Sequence, residues 1–176
     1  MTSPAGAGAP PADDLVSLYA YNSWANARVL ATLAAMPDAD YVKEQGGGWP
    51  SLRATFVHIA GATDAWAERF AGRETTRLAT VEELPRLEDA ARLLLAAEEK
   101  HRVLLPTYTP ERLAGPFTWK NLKGESKTAR FGIVVRHVVN HQTYHRGQIA
   151  AMARRLGHAP KSTDMVFWGI ELESRP

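Results

Sequence analysis

The chain of 176 residues contains no cysteine. That excludes disulfides, thiolate metal ligands, protein-bound iron–sulfur clusters and a thiol nucleophile. Any metal must be held by His, Asp, Glu, backbone oxygen or water, and any thiol chemistry must take its sulfur from another molecule. Neither sign of charge is in excess. The 21 Lys and Arg against 19 Asp and Glu leave a net charge of +2, so nucleic-acid binding is not expected. No apolar run approaches the roughly 18 residues of a membrane span, and no membrane partner is expected. Residues 1–11 lack both the cationic start and the apolar core of a signal peptide. They are read as a disordered tail, residues 12–176 as one domain, and the protein as cytoplasmic.

What is present is an ordinary globular balance, 45% apolar and 23% charged, together with six histidines. Such a chain can bury a core without staples. Four stretches carry a helical period. The first runs from a cap at Asp13 or Asp14 to about Met36, with Leu15, Leu18, Tyr19, Val29, Leu30 and Leu33 on one face, and stops at Pro37. The second follows the Gly46-Gly47-Gly48-Trp49-Pro50 turn, is capped by Ser51, and runs to about Phe70. The third covers about Glu88 to Leu105, before Pro106. The fourth spans about Phe131 to Leu156 and ends at Gly157. Phe117–Trp119 and Ser126–Arg130 predict a β-hairpin turning near Lys123-Gly124, and Thr163–Glu171 a brief helix or extended strap. The pattern predicts an all-α four-helix bundle with a small β-hairpin before the last long helix. Lys120, Lys123, Lys127 and Arg130 make the hairpin basic, which is read as a solvated face because Glu125 interrupts them. The five tryptophans are read as core.

On the fourth helix, Val134, Val138, His141, His145, Ile149, Met152 and Leu156 fall within one arc at 100° per residue. Two imidazoles one turn apart on a core face are hard to satisfy with helix carbonyls that are already bonded. A divalent metal solves this, since an i, i+4 histidine pair is a two-ligand half-site. His137 competes as a partner for His141, but lies roughly 12 Å along the axis from His145 and falls toward the stripe's edge. It is read as an edge residue supporting the ligands. His58, on a flank of the second helix with Ala62 and Ala65, is the best further ligand, because small neighbours let another helix approach. His101 and His158 are weaker candidates. Asn22 and Asn26 share the core arc of the first helix. Their amides need partners, from neighbouring side chains, buried water, or a ligand they would orient.

The segments Leu-Tyr-Ala-Tyr-Asn-Ser-Trp-Ala-Asn (18–26), Phe-Val-His-Ile-Ala-Gly-Ala (56–62) and His-Val-Val-Asn-His-Gln-Thr-Tyr-His-Arg-Gly-Gln-Ile (137–149) resemble the DinB/YfiT-like metal-binding bundles over about Leu15 to Glu171. The resemblance implies a down-up-up-down bundle, a homodimer, and a divalent metal on His58, His141 and His145. Zn, Ni, Mn and Fe are candidate ions. It also implies a link to stress or detoxification, because some members of the wider superfamily use low-molecular-weight thiols such as bacillithiol or mycothiol. Three neutral ligands leave a metal an open position. The expected function is therefore a metal-dependent thiol S-transferase. The alternatives are a metal-dependent hydrolase and a non-enzymatic metal-binding stress-response module.

Overall fold

The structure, a computed structural model, describes residues 12–174. The tail expected over residues 1–11 lies outside them. Seven helices and one hairpin follow in the order α1 (Ala12–Ala34), α2 (Asp38–Val42), α3 (Leu52–Phe70), α4 (Leu87–Leu104), α5 (Pro110–Ala114), β1 (Pro116–Lys120), β2 (Ser126–Arg130), α6 (Phe131–Arg155) and α7 (Met165–Glu173). A short 3-10 turn, Leu105–Thr107, follows α4. Among the described residues no helix is long and apolar enough to cross a membrane.

The ends of these elements have local causes. Asp13 and Asp14, expected as caps, lie inside α1, and Asp14 pairs with Arg136 at 3.0 Å. Ser51 does cap α3: its hydroxyl accepts from the Ala54 N–H at 3.1 Å. Pro106 ends α4 by lacking an N–H to donate. Gly157 takes φ 85°, which lets the His158 N–H return to the Ala153 carbonyl at 3.0 Å and close α6. In the hairpin, Thr118 faces Thr128 with their hydroxyls 2.9 Å apart, and Asn121 Oδ1 accepts from the Lys123 and Glu125 N–H groups in the turn.

The long helices α1, α3, α4 and α6 form the bundle. Tyr19 reaches the Val135 carbonyl and Asn22 reaches Gln142, so α1 and α6 run the same way. Phe56 and Ala60 share a cluster with Ala90 and Leu94, while Asp64 pairs with Lys100, so α3 and α4 also run the same way. His58 meets His141 and Phe70 meets Phe131, so α3 opposes α6. The topology is down-up-up-down, as the resemblance implied.

The core divides into two apolar clusters. One joins Val29 and Leu33 with Phe56, Leu94, Ile149 and Met152; the other joins Leu15 and Tyr19 with Phe70, Tyr108, Phe131 and Val135. Between them α1 carries Asn22 and Asn26, α3 carries Thr63, α4 carries His101 and α6 carries Gln142, His145 and Arg146, all buried. Polar chemistry is thus concentrated at mid-height.

Candidate metal centre

The i, i+4 spacing of His141 and His145 places both rings on the side of α6 that packs against α3, where His58 projects. Ala62 and Ala65 on α3 are buried and keep the neighbouring surface low. His141 Nε2 lies 3.2 Å from His58 Nε2 and 3.1 Å from His145 Nε2. The ligand atoms of all three lie within 4.8 Å of one another. Tetrahedral zinc with nitrogen ligands at about 2.0–2.1 Å spaces those nitrogens about 3.3 Å apart. The cluster is therefore close to the size a metal requires.

Its electrostatics suit a cation equally well. Burial, followed by the charges His145 and His141 would carry, pushes His58 down to about 3. Burial, then His145 and His137, pushes His141 down to about 4. Burial lowers His145, against the opposing effect of its bond to Gln148. All three imidazoles are neutral at pH 7 and available as ligands. The Nδ1–H of His145 donates to Gln148 Oε1 at 2.7 Å, which leaves its Nε2 lone pair facing the cluster. Trp49 stacks on His58 with ring centres 4.1 Å apart and planes 23° from parallel, and stands edge-on to His145 at 6.3 Å. Among the described residues no acidic side chain joins the three histidines. A donor set of three convergent, neutral nitrogens fits a divalent cation with a position left open.

The structure thus brings His58, His141 and His145 together. It places the other candidates elsewhere. His137 is exposed and stands against Trp66 at 5.6 Å, edge to face, with its ring centre 5.5 Å from that of His141. Asn22 and Asn26 make their bonds to Gln142 and Arg146, not to the histidines. The buried stripe of α6 is also rotated from the arc read in the sequence. Gln142 and Arg146, each 1% exposed, are inside, while His141 is half-buried. The reason is that α6 packs on α1 as well as on α3, and Asn22 and Asn26 supply the polar partners that two buried side chains need. His101, a weak candidate, is buried and bonded to the Thr63 carbonyl at 3.1 Å, away from the cluster.

Two more residues stand beside the cluster. Gln148 stands three residues after His145, a spacing that signals a helical neighbour. Trp49, which the sequence predicts to be core, is 37% exposed and covers His58. The other four tryptophans pack against the second apolar cluster.

Comparison with known proteins shows the family. The model of the DinB family matches residues 9–171. Protein DinB of Bacillus subtilis (strain 168) is 31% identical over 159 residues, 86% of this chain and 91% of that protein. The chain belongs to the DinB family, and its three-histidine cluster is compatible with metal binding.

Proposed function

We propose that the protein is a divalent-metal-dependent enzyme that transfers a low-molecular-weight thiol to an electrophile, in stress defence or detoxification. One observation carries the reading: three neutral imidazole nitrogens converge at 3.1 and 3.2 Å with, among the described residues, no acidic side chain joining them. Structural zinc is usually closed by four protein ligands, whereas a three-ligand site leaves room for a reactant. A divalent cation on His58, His141 and His145 would supply Lewis acidity and lower the pKa of a thiol that reaches it. Zn, Ni, Mn and Fe all remain candidates, since imidazole discriminates poorly among them.

The remaining roles belong to the chain. His58, His141 and His145 are neutral at pH 7, so no proton has to leave them before they bind. Gln148 holds the His145 ring by its Nδ1–H. Trp49 shields the face of His58 from water. The chain has no cysteine, so the sulfur must arrive on a cosubstrate. Assembly as a homodimer and residence in the cytoplasm belong to the same proposal, and sedimentation velocity tests the first.

The test is metal analysis followed by turnover. Wild type should carry stoichiometric metal after reconstitution, and the His141→Ala/His145→Ala variant should carry none. The loaded protein should then conjugate an electrophile only when a thiol such as bacillithiol or mycothiol is present. Absence of stoichiometric metal would sink the reading. Turnover with water alone would make the protein a hydrolase. A metal that stabilises the fold with no turnover of either kind would make it a metal-binding stress-response module.

A further inference from the structure

A cavity of about 590 Å³ lies against His58, on the side of the bundle where the chain crosses α3 between α3 and α4. Its size is that of a small-molecule site. Trp49, Val57, Leu78, Val81 and Leu122 give it an apolar wall, and His58 belongs to both the wall and the nitrogen cluster. Four separate parts of the chain contribute: the glycine-rich turn before α3, α3 itself, the strap 76–82 and the hairpin tip.

Of the two charged side chains at its edge, Arg77 is engaged and Glu82 is exposed. Arg77 holds Glu83 through two bonds, 2.9 and 3.0 Å. The Thr80 N–H donates to the same Glu83 carboxylate at 3.0 Å, and Glu82 stands exposed at the rim. The surface a ligand would meet is mostly aromatic and aliphatic, with His58 Nδ1 a buried polar atom that has no partner. A ligand bearing many hydroxyls or charges would lose water there and gain few partners.

The wall is also fixed to the histidine's own helix. A Cβ on Gly61 would come within 3.2 Å of the Ala79 nitrogen and 3.5 Å of Leu78 Cβ. Any larger residue at 61, three residues beyond His58, would push the strap back by a few tenths of an ångström. The bundle holds a second cavity, about 620 Å³ between α1 and α4, but none of the histidines lines it.

We propose that the cavity beside His58 binds the uncharged, apolar body of the electrophilic substrate, and that the polar body of the thiol lies outside it. This rests on the thiol-transfer reading for the names of the two reactants. The cavity's preference for an apolar, uncharged ligand rests on its walls alone.

The test uses the full chain, zinc-loaded, with indole as a neutral aromatic probe and methyl glucoside as a polar one, followed by amide NMR. Indole should shift residues of the 48–58 and 76–82 segments in a saturable way, and methyl glucoside should bind at least tenfold more weakly. Val81→Trp, which fills the cavity, should weaken indole at least tenfold while zinc stoichiometry stays at the wild-type value. Leu122→Ala, at the exposed hairpin tip, puts no core at risk and should weaken indole about threefold. Equal binding of the two probes, shifts confined to the α1–α4 cavity, or affinity for indole unchanged in both variants would overturn the proposal. The same titration on His141→Ala/His145→Ala should still place indole at the cavity, and its loss there would overturn the claim that the walls alone set the preference; the wild type separates the two readings. Indole bound at the cavity in a wild-type chain that takes up no zinc would overturn thiol transfer and keep the apolar site. Zinc bound without indole at the cavity would overturn the site alone.

Discussion

Helix α6 carries two polar clusters on adjoining faces, one residue apart in sequence. His141 and His145 face α3; Gln142 and Arg146 face α1. In the second cluster donors meet acceptors, save Gln142 Nε2 and Arg146 Nε, which have no partner. Arg146 Nη1 donates to Asn22 Oδ1 at 2.6 Å and Asn26 Oδ1 at 2.9 Å, and Nη2 donates to Thr143 Oγ1 at 2.7 Å. The two amides donate in turn to Gln142 Oε1 at 3.0 and 2.6 Å, and Asn26 donates also to Glu98 at 2.7 Å. In the first cluster three nitrogens approach one another with too few protons to go round. A largely matched network between two apolar layers is a structural clamp. A surplus of buried lone pairs is suited to a cation from outside. The two are linked by helix geometry: fixing Gln142 and Arg146 against α1 fixes the rotation of α6, and with it the direction of both histidines.

The comparison is broken most directly at Arg146. Arg146→Ala leaves the Asn22 and Asn26 oxygens without their charged donor in a buried layer. The expected loss is about 4 kcal/mol, measured by urea unfolding of the metal-free protein. A loss below about 1 kcal/mol would show that the layer is no clamp.

The histidine cluster should behave in the opposite way. Without metal, His141→Ala/His145→Ala should unfold within about 1 kcal/mol of wild type, since it removes two side chains that make few matched bonds. With zinc at a hundred times the dissociation constant, wild type should gain about 2.7 kcal/mol and the variant nothing. Equal gains would place the zinc elsewhere.

Acid separates the clusters again. An unfolded histidine takes a proton near pH 6.5, whereas folded His58 resists until about 3 and His141 and His101 until about 4. The folded state therefore binds fewer protons in this window, and metal-free stability is present above pH 6.5 and falls as pH drops from there toward 4. Arg146 keeps its charge throughout and adds no such slope. The His141→Ala/His145→Ala variant should take up about one to two fewer protons on unfolding at pH 5, read as a shallower dependence of unfolding free energy on pH. An unchanged slope would show that these histidines are not held neutral.

Much of the bundle was legible because its signals are periodic and local. Ser51 before an apolar stripe, Pro106 after another and Gly157 after a third each act within a turn of their own helix. α2 and α5 leave no such signal because five residues are too few to show a period. The grouping of His58, His141 and His145 was legible because helical spacing and a third histidine on a small-residue flank are both visible in one dimension. The rest was not, for a physical reason. Asn22 and Asn26 showed a need for partners, but which partner depends on how α1 and α6 rotate against each other. Rotation is settled by packing, and it moved Gln142 and Arg146 into the interior. Trp49 and the strap 76–82 lie in irregular chain, where no period says which way a side chain points.

The smallest effect tests how finely the histidine cluster is aimed. His145 and Gln148 lie one turn apart, and the 2.7 Å bond from Nδ1–H to Oε1 fixes which nitrogen carries the proton as well as the plane of the ring. Without that acceptor, Nδ1 and Nε2 can exchange the proton, and part of the population would present an N–H to the cluster in place of a lone pair. Gln148→Ala should therefore weaken zinc about tenfold, equivalent to about 1.4 kcal/mol, while metal-free stability stays within about 0.5 kcal/mol of wild type. Gln148→Glu keeps an acceptor in place and should restore the affinity. The clamp around Arg146 predicts the reverse pattern for Asn26→Ala: a loss of stability without metal, and zinc affinity that falls only as far as α6 is free to turn. If Gln148→Ala instead lowers stability and leaves zinc affinity unchanged, the glutamine belongs to the fold, and His145 is held by packing against its neighbours alone.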